Sequence, residues 1–144
     1  MTRQLVLDAF LPYRLSVAAN AVSTRISNSY RKRFGLKVAE WRLIAILAET
    51  GHQTPVMLGE RTRMDKISVS RAAAALIARG LLVAETNPDD GRSHLLSLTH
   101  TGLVLYSEIA PIALATEAEL LSKMTHKERE MLEMLLRKVE AAAY

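Results

Sequence analysis

The sequence predicts a mainly helical protein that carries one small β-hairpin. Over most of its 144 residues, apolar side chains recur at three- and four-residue spacing, which is the period of an amphipathic helix. The exception lies between residues 82 and 98, where two short apolar runs flank the turn-forming stretch NPDDGRSH. A chain of this length usually forms one domain with a sizeable core. We therefore expect a single domain over residues 1–144.

Composition limits the chemistry that the chain can carry. It contains no cysteine, which excludes disulfides, thiolate metal sites and cysteine nucleophiles. The formal net charge of +4 is modest, and it permits an anionic partner such as DNA without requiring one. The longest apolar stretches fall short of the roughly 20 residues that a membrane helix needs, and the N-terminus does not resemble a signal peptide. We expect a cytoplasmic protein with no membrane partner.

Two helices are expected in the first third of the chain. The first runs from Pro12, which suits an opening helical turn, to Gly35, which suits a helix end. The second, over residues 37–51, is strongly apolar and should be central to the core. The apolar stripe of the first helix comprises Leu15, Ala18, Ala19, Val22, Ile26 and Tyr30.

A short helix, a tight turn and a second helix follow. Thr54 should cap the short helix, and Asp65 should cap the next one by accepting a hydrogen bond from the N–H of Ser68. Gly80 should end that second helix. Its buried side is expected to comprise Val69, Ala72, Ala73, Leu76 and Ile77.

The remainder is predicted to be a hairpin followed by two helices. The strands cover roughly residues 82–86 and 94–98. Thr99 caps a long helix that contains Pro111, where we expect a kink because proline cannot donate a backbone hydrogen bond. The last helix begins with a capping box at Thr125. Its apolar stripe comprises Met131, Leu132, Leu135, Leu136 and Val139.

The helices at the two ends of the chain carry wide apolar faces. Within one small chain these faces have too little to pack against. Pairing with a second copy would bury them, so the pattern favours a homodimer.

The order of short helix, turn, second helix and hairpin is the layout of a winged helix-turn-helix. There the second helix presents its N-terminal residues to base edges in the major groove of DNA. Lysine and arginine can meet phosphates or guanine, serine can donate and accept, and isoleucine can meet a thymine methyl group. Taken alone, the segment also fits an ordinary capped amphipathic helix, but the hairpin after it favours DNA binding. The candidate DNA-binding residues are Lys66, Ile67, Ser68, Ser70 and Arg71.

The hairpin tip adds one more candidate for DNA binding. Asn87, Pro88 and Gly91 should form the turn. Arg92 is the candidate DNA-binding residue, and Asp90, two residues before it, can orient it. In the alternative interpretation, Arg92 only steadies the hairpin.

These segments together resemble the MarR family of bacterial transcriptional regulators. The order and spacing of the matching motifs are fairly specific, and the resemblance covers roughly residues 10–142. In chain order, the motifs are LKVAEWRLIAIL, Ser68-Val69-Ser70-Arg71, Gly80-Leu81, Asp90-Gly91-Arg92 and Leu98-Thr99-His100-Thr101-Gly102.

The chain departs from that family pattern at four positions. Arg63 stands where the turn between the two helices usually has glycine. Thr62 replaces a usually apolar residue, and Gly59 replaces the usual alanine; these changes can loosen the first of the two helices. Ile67 replaces a polar residue that is common in the recognition helix, which can alter the bases that are read.

The resemblance implies a homodimeric, ligand-responsive regulator of transcription, most often a repressor but alternatively an activator, rather than an enzyme. Residues 36–99 would form the winged helix-turn-helix part, and residues 8–35 and 100–144 would form the dimerisation helices. Two recognition helices would enter successive major grooves of a pseudo-palindromic operator, about 34–36 Å apart. The wing would reach a neighbouring minor groove or its phosphates. The effector would be a small amphipathic anion, often an aromatic acid.

Aromatic rings beside cations mark the candidate effector-binding residues, Tyr13, Arg14, Trp41 and Arg42. The competing interpretation places Trp41 in the core and the first two in the dimer interface. No histidine pair has metal-ligand spacing, and neither a nucleophile motif nor a phosphate-binding loop occurs, so we expect no metal and no cofactor. The alternative function is a helical small-molecule-binding or protein-interaction module that uses the same fold without specific DNA binding.

Overall fold

The computed structural model describes residues 2–144, which form a mainly helical protein with one antiparallel hairpin, as predicted. A single 3-10 turn, Leu7–Ala9, precedes the first helix. None of the helices in the described residues is long and apolar enough to cross a membrane. The elements are α1 (Leu11–Ser27), α2 (Arg31–Phe34), α3 (Val38–Thr50), α4 (Pro55–Thr62), α5 (Lys66–Ala78), β1 (Leu82–Thr86), β2 (His94–Leu98), α6 (His100–Leu120) and α7 (His126–Ala143).

The prediction of one helix from Pro12 to Gly35 is wrong, because the chain breaks after Ser27. The hydroxyls of Ser27 and Ser29 donate to the carbonyl oxygens of the preceding turn, where they compete with helix continuation. Tyr30 is only 1% exposed and enters the core instead of extending the stripe of α1. Gly35 does end a helix as expected, since it follows α2 with the left-handed φ of 65°.

The core forms around α3, which packs against α4, α5, α6 and β2. Leu43 and Ile44 of α3 are completely buried, as is Ile109 of α6. On α5 the predicted buried side is confirmed except at Ile77, which is 41% exposed. A helix turns about 100° per residue, so Ile77 lies to one side of the direction in which Leu76 points.

The strands have the predicted bounds, and the register pairs Leu82 with Leu98 and Thr86 with His94. The sequence did not predict that β2 is also paired on its other edge. The N–H of Gln53 donates to the carbonyl of Leu96 at 3.0 Å, and the return bond measures 2.8 Å. This bridge ties the hairpin to the start of α4.

The start of α6 lies unusually close to the connection between α5 and β1. The hydroxyl of Thr99 donates to the carbonyl of Gly80 at 2.6 Å, and its N–H donates to the carbonyl of Leu81 at 3.1 Å. The Thr99 hydroxyl also accepts from the N–H of Gly102 at 3.1 Å, which confirms the predicted cap. A Cβ on Gly102 would lie 2.2 Å from the carbonyl oxygen of Leu81, so this position has no room for a side chain.

Beyond this contact, α6 is an uninterrupted helix through Pro111, and the kink expected there stays a prediction. The Arg25 guanidinium on α1 pairs with the Glu119 carboxylate on α6 at 2.9 Å. The capping box at Thr125 is confirmed, but α7 has no buried residue in the single chain. Its apolar stripe is therefore open to solvent, with exposed fractions between 39% at Leu132 and 52% at Met131.

Gly102→Ala should lower the free energy of unfolding by at least about 2 kcal/mol, because the new methyl group would force the backbone of Leu81 to shift. Gly91→Ala is the matched control. Its Cβ would meet no atom within 4 Å, so the change should stay below about 0.5 kcal/mol. Chemical denaturation at one protein concentration measures both variants, and coincident transitions for the two would contradict the close approach.

Candidate nucleic-acid interface

The N-terminus of α5 is held by the cap that the sequence predicts. The Asp65 carboxylate accepts from both the N–H and the hydroxyl of Ser68, each at 2.8 Å. These bonds hold the pKa of the Asp65 carboxyl below its ordinary value, and the bond from the Ser68 N–H is the largest cause. The carboxylate is therefore ionised at neutral pH, where it orders the first turn of α5.

The other predicted residues of α5 lie outside its buried face. Lys66, Ser70 and Arg71 are exposed, and Ile67 is 64% exposed. Within residues 2–144, neither Lys66 nor Arg71 makes an ion pair, so both cations are available to phosphates. Ser68 differs from the rest because it is half-buried and its hydroxyl proton is already donated to Asp65.

The hairpin tip is held by local hydrogen bonds that involve side chains and the backbone. The Asn87 carbonyl oxygen accepts from the N–H of Asp89 at 3.0 Å, and its amide donates to the hydroxyl of Ser93 at 2.9 Å. The Asp90 carboxylate accepts from the N–H of Arg92 at 3.0 Å. The Asp90 carboxylate thus binds the backbone of Arg92. The sequence suggested a different role, in which Asp90 orients Arg92.

The Arg92 side chain itself is exposed, and it makes no ion pair within the described residues. The tip therefore uses one acid to shape its backbone while it leaves the guanidinium free. This arrangement explains how an acidic turn can still offer a cation to an anionic partner.

Arg79 is a further residue that matters here and that sequence reasoning missed. Its guanidinium donates to the carbonyls of Phe34 and Gly35, at 2.8 Å and 3.2 Å. These carbonyls belong to the end of α2, where helix carbonyls lack partners within the helix. The contact fixes the C-terminal end of α5, opposite the Asp65 cap. The only sign of this contact in the sequence is a cation at a helix end, because the carbonyls that Arg79 binds lie more than 40 residues away.

The four predicted effector-binding residues do not form one aromatic cluster. Trp41 is half-buried and lies between two tyrosine rings, with centroid distances of 5.6 Å to Tyr30 and 5.9 Å to Tyr106. Tyr13 takes part in no aromatic pair within residues 2–144, and both it and Arg14 are exposed on α1.

Arg42, in contrast, does lie near this aromatic cluster. Burial raises the pKa of the Tyr30 hydroxyl, and the charges of Arg42 and Arg31 oppose that rise. The cluster of Tyr30, Trp41 and Tyr106 thus has cations nearby, while Tyr13 and Arg14 are part of a separate surface. Residues 2–144 hold no group of three histidine or acidic side chains arranged to bind a metal ion.

Comparison with known proteins agrees with this geometry. The model of the MarR family matches residues 34–93, which run from the end of α2 to the hairpin tip. Solved structures of family members superpose on nearly the whole chain. Over residues 34–93 the chain is similar to the MarR family. Members of this family are DNA-binding regulators of transcription and not enzymes, and the chain resembles them in its winged helix-turn-helix sequence and in its fold.

Three relatives illustrate the similarity. The HTH-type regulator YxaD of Bacillus subtilis is 28% identical over 117 residues, which cover 81% of this chain and 82% of that protein. A cysteine variant of E. coli MarR, solved in complex with operator DNA, is 25% identical with a TM-score of 0.83, and the match covers 95% and 99% of the two chains. The PcaV regulator of Streptomyces coelicolor, solved with its natural ligand, shares the fold at 20% identity, a TM-score of 0.88 and coverage of 99% and 100%.

Proposed function

We propose that this chain is a ligand-responsive repressor that binds a pseudo-palindromic operator as a homodimer. The proposal rests on two exposed cationic surfaces that lie on one structural unit. Lys66 and Arg71 project from the capped start of α5, and Arg92 projects from the hairpin tip. We assign this unit to residues 36–99, and the complex of E. coli MarR with operator DNA supports its use on DNA.

The side chains of α5 would contact different parts of the DNA according to their chemistry. Lys66 and Arg71 would meet phosphates or guanine, and the exposed Ile67 would contact a thymine methyl group. Ser70 would donate to or accept from a base edge. Ser68 would mainly order the helix start through Asp65, although its oxygen can still accept a hydrogen bond.

A second copy of the chain would bury the apolar faces that the terminal helices leave exposed. We assign residues 8–35 and 100–144 to the dimer interface because α7 buries nothing in one chain, and because Leu15, Val17 and Val22 of α1 are also exposed. A two-fold axis between the copies would place the two α5 helices in successive major grooves, about 34–36 Å apart. Inverted half-sites would follow from that symmetry.

The effector we propose is a small aromatic acid. Trp41 and Arg42 combine an aromatic face with a cation, the half-buried Tyr106 extends the aromatic surface, and the buried Tyr30 packs against Trp41 from the core. The ligand-bound structure of PcaV supports an effector site in a protein of this fold. Tyr13 and Arg14 remain candidates that would act from the surface of α1.

Arg92→Ala should weaken operator binding at least about tenfold at moderate salt, because each of the two copies loses one phosphate or groove contact. The slope of log affinity against log salt should also fall by about 1.8, which is about 0.9 for each copy. The melting temperature should not change, since the Arg92 side chain makes no ion pair within residues 2–144. Lys123→Ala is the control for loss of an exposed positive charge outside residues 36–99. Unaltered affinity for Arg92→Ala in an electrophoretic shift or anisotropy titration would rule out the proposed role.

Leu135→Asn should raise the dissociation constant of the dimer at least about tenfold, because each copy would lose a buried leucine side chain from the interface. Sedimentation equilibrium measures this constant directly. Lys127→Asn, also on α7 but outside the apolar stripe, should leave it unchanged. Equal constants for the two variants would show that α7 does not form the interface.

Binding of an aromatic acid should quench the fluorescence of Trp41, which is the single tryptophan of the chain. Titration with salicylate and related acids would measure the affinity. Arg42→Gln should weaken the binding of the acid about tenfold, but not the binding of a neutral amide analogue, because only the acid needs the cation. Quenching that is equal for acid and amide would contradict a charged effector site.

A further inference from the structure

Arg63, between α4 and α5, has an unusual backbone conformation. Its φ of 57° makes it the only residue other than glycine with a positive φ among residues 2–144. A side chain with a Cβ is disfavoured in this left-handed region. Contacts of the Arg63 side chain with the rest of the chain can offset the free-energy cost of this conformation.

The Arg63 side chain reaches the C-terminal end of α7. Its Nε atom lies 3.5 Å from the Glu140 carboxylate, and its guanidinium carbon lies 4.3 Å from the centroid of the Tyr144 ring. A planar guanidinium can pair with a carboxylate and stack on an aromatic face at the same time, which an ammonium cannot do equally well. The side chains of Arg63 and Glu140 are about half exposed and Tyr144 is 77% exposed, so each contact is weak alone and gains from the other.

These contacts are also the only ion pair and cation–π contact that join α7 to the winged-helix unit within residues 2–144. The ring of Tyr144 borders an open groove of about 960 Å³ whose other walls include Lys66 and Ser70 of the recognition helix. The end of α7 therefore lies beside the start of α5. Asp65, which caps α5, is only two residues from Arg63.

We infer that Arg63 is a positioning residue that clamps the helix-turn-helix turn to the end of α7. Because α7 is the helix we assign to the dimer interface, the clamp links the packing of the two copies to the orientation of each recognition helix. It acts through α5 and does not need to touch DNA. This role rests on the proposed function, since the orientation matters only if α5 reads DNA.

Amide hydrogen exchange tests the clamp without DNA. In Tyr144→Leu, which leaves the turn sequence intact, the amides of residues 64–69 should exchange roughly fivefold faster, which is the effect expected when an exposed cation–π contact is lost beside an exposed ion pair. Tyr144→Phe keeps the ring face and should match the wild type. Glu133→Gln removes a carboxylate of α7 that pairs with Arg137 instead, and it should match as well.

A double variant shows whether the effect passes through Arg63. In the Arg63→Ala background, Tyr144→Leu should cause no further increase in exchange, because the partner of the ring is already absent. Wild-type exchange in Tyr144→Leu would overturn the clamp. A further increase in the double variant would assign the effect of Tyr144 to another contact, and would overturn the role of Arg63.

Operator spacing tests the positioning role itself. The wild type should prefer its selected spacing over a duplex with two extra base pairs between the half-sites, and Tyr144→Leu should reduce that preference roughly fivefold. Faster exchange with an unchanged spacing preference would overturn the positioning role while leaving the contact in place. If the wild type binds no sequence specifically, the proposed function fails, and the exchange experiment still decides whether the clamp exists.

Discussion

The close approach of Gly102 to the carbonyl of Leu81 is the contact on which the rest of the structure depends. With the two bonds from Thr99, it fixes the first turn of α6 against the segment that follows α5. In the proposed regulator, this direct contact would couple the packing of the terminal helices to the orientation of α5.

The features that the sequence predicted well are those set by neighbours along the chain. A cap needs only a side chain and an N–H three residues later, and a hairpin tip needs only turn-forming residues between two apolar runs. Both strands were therefore placed correctly, and so were the helix starts at Thr54, Asp65, Thr99 and Thr125. The exposed face of α5 followed from the same periodicity, since a residue that avoids the buried stripe must face solvent.

The features that the sequence did not predict depend on partners far along the chain. The helix breaks after Ser27 because the Tyr30 side chain packs in the core. Periodicity alone cannot predict this packing. The bonds from Arg79 to the end of α2 and from Gln53 to Leu96 each join residues more than 40 positions apart. Asp90 was correctly singled out, but only the structure shows that its carboxylate binds a backbone N–H.

Selection of bound sequences from a library of random duplexes is the most direct test of sequence-specific binding by a two-fold dimer, because enrichment requires both properties. This mode of binding predicts enrichment of an inverted repeat whose half-sites are centred about one helical turn apart, with affinity that falls steeply as salt rises. Recovery of no enriched sequence, with only weak binding that is indifferent to sequence, would contradict it. That result would favour a module that uses this fold without reading DNA.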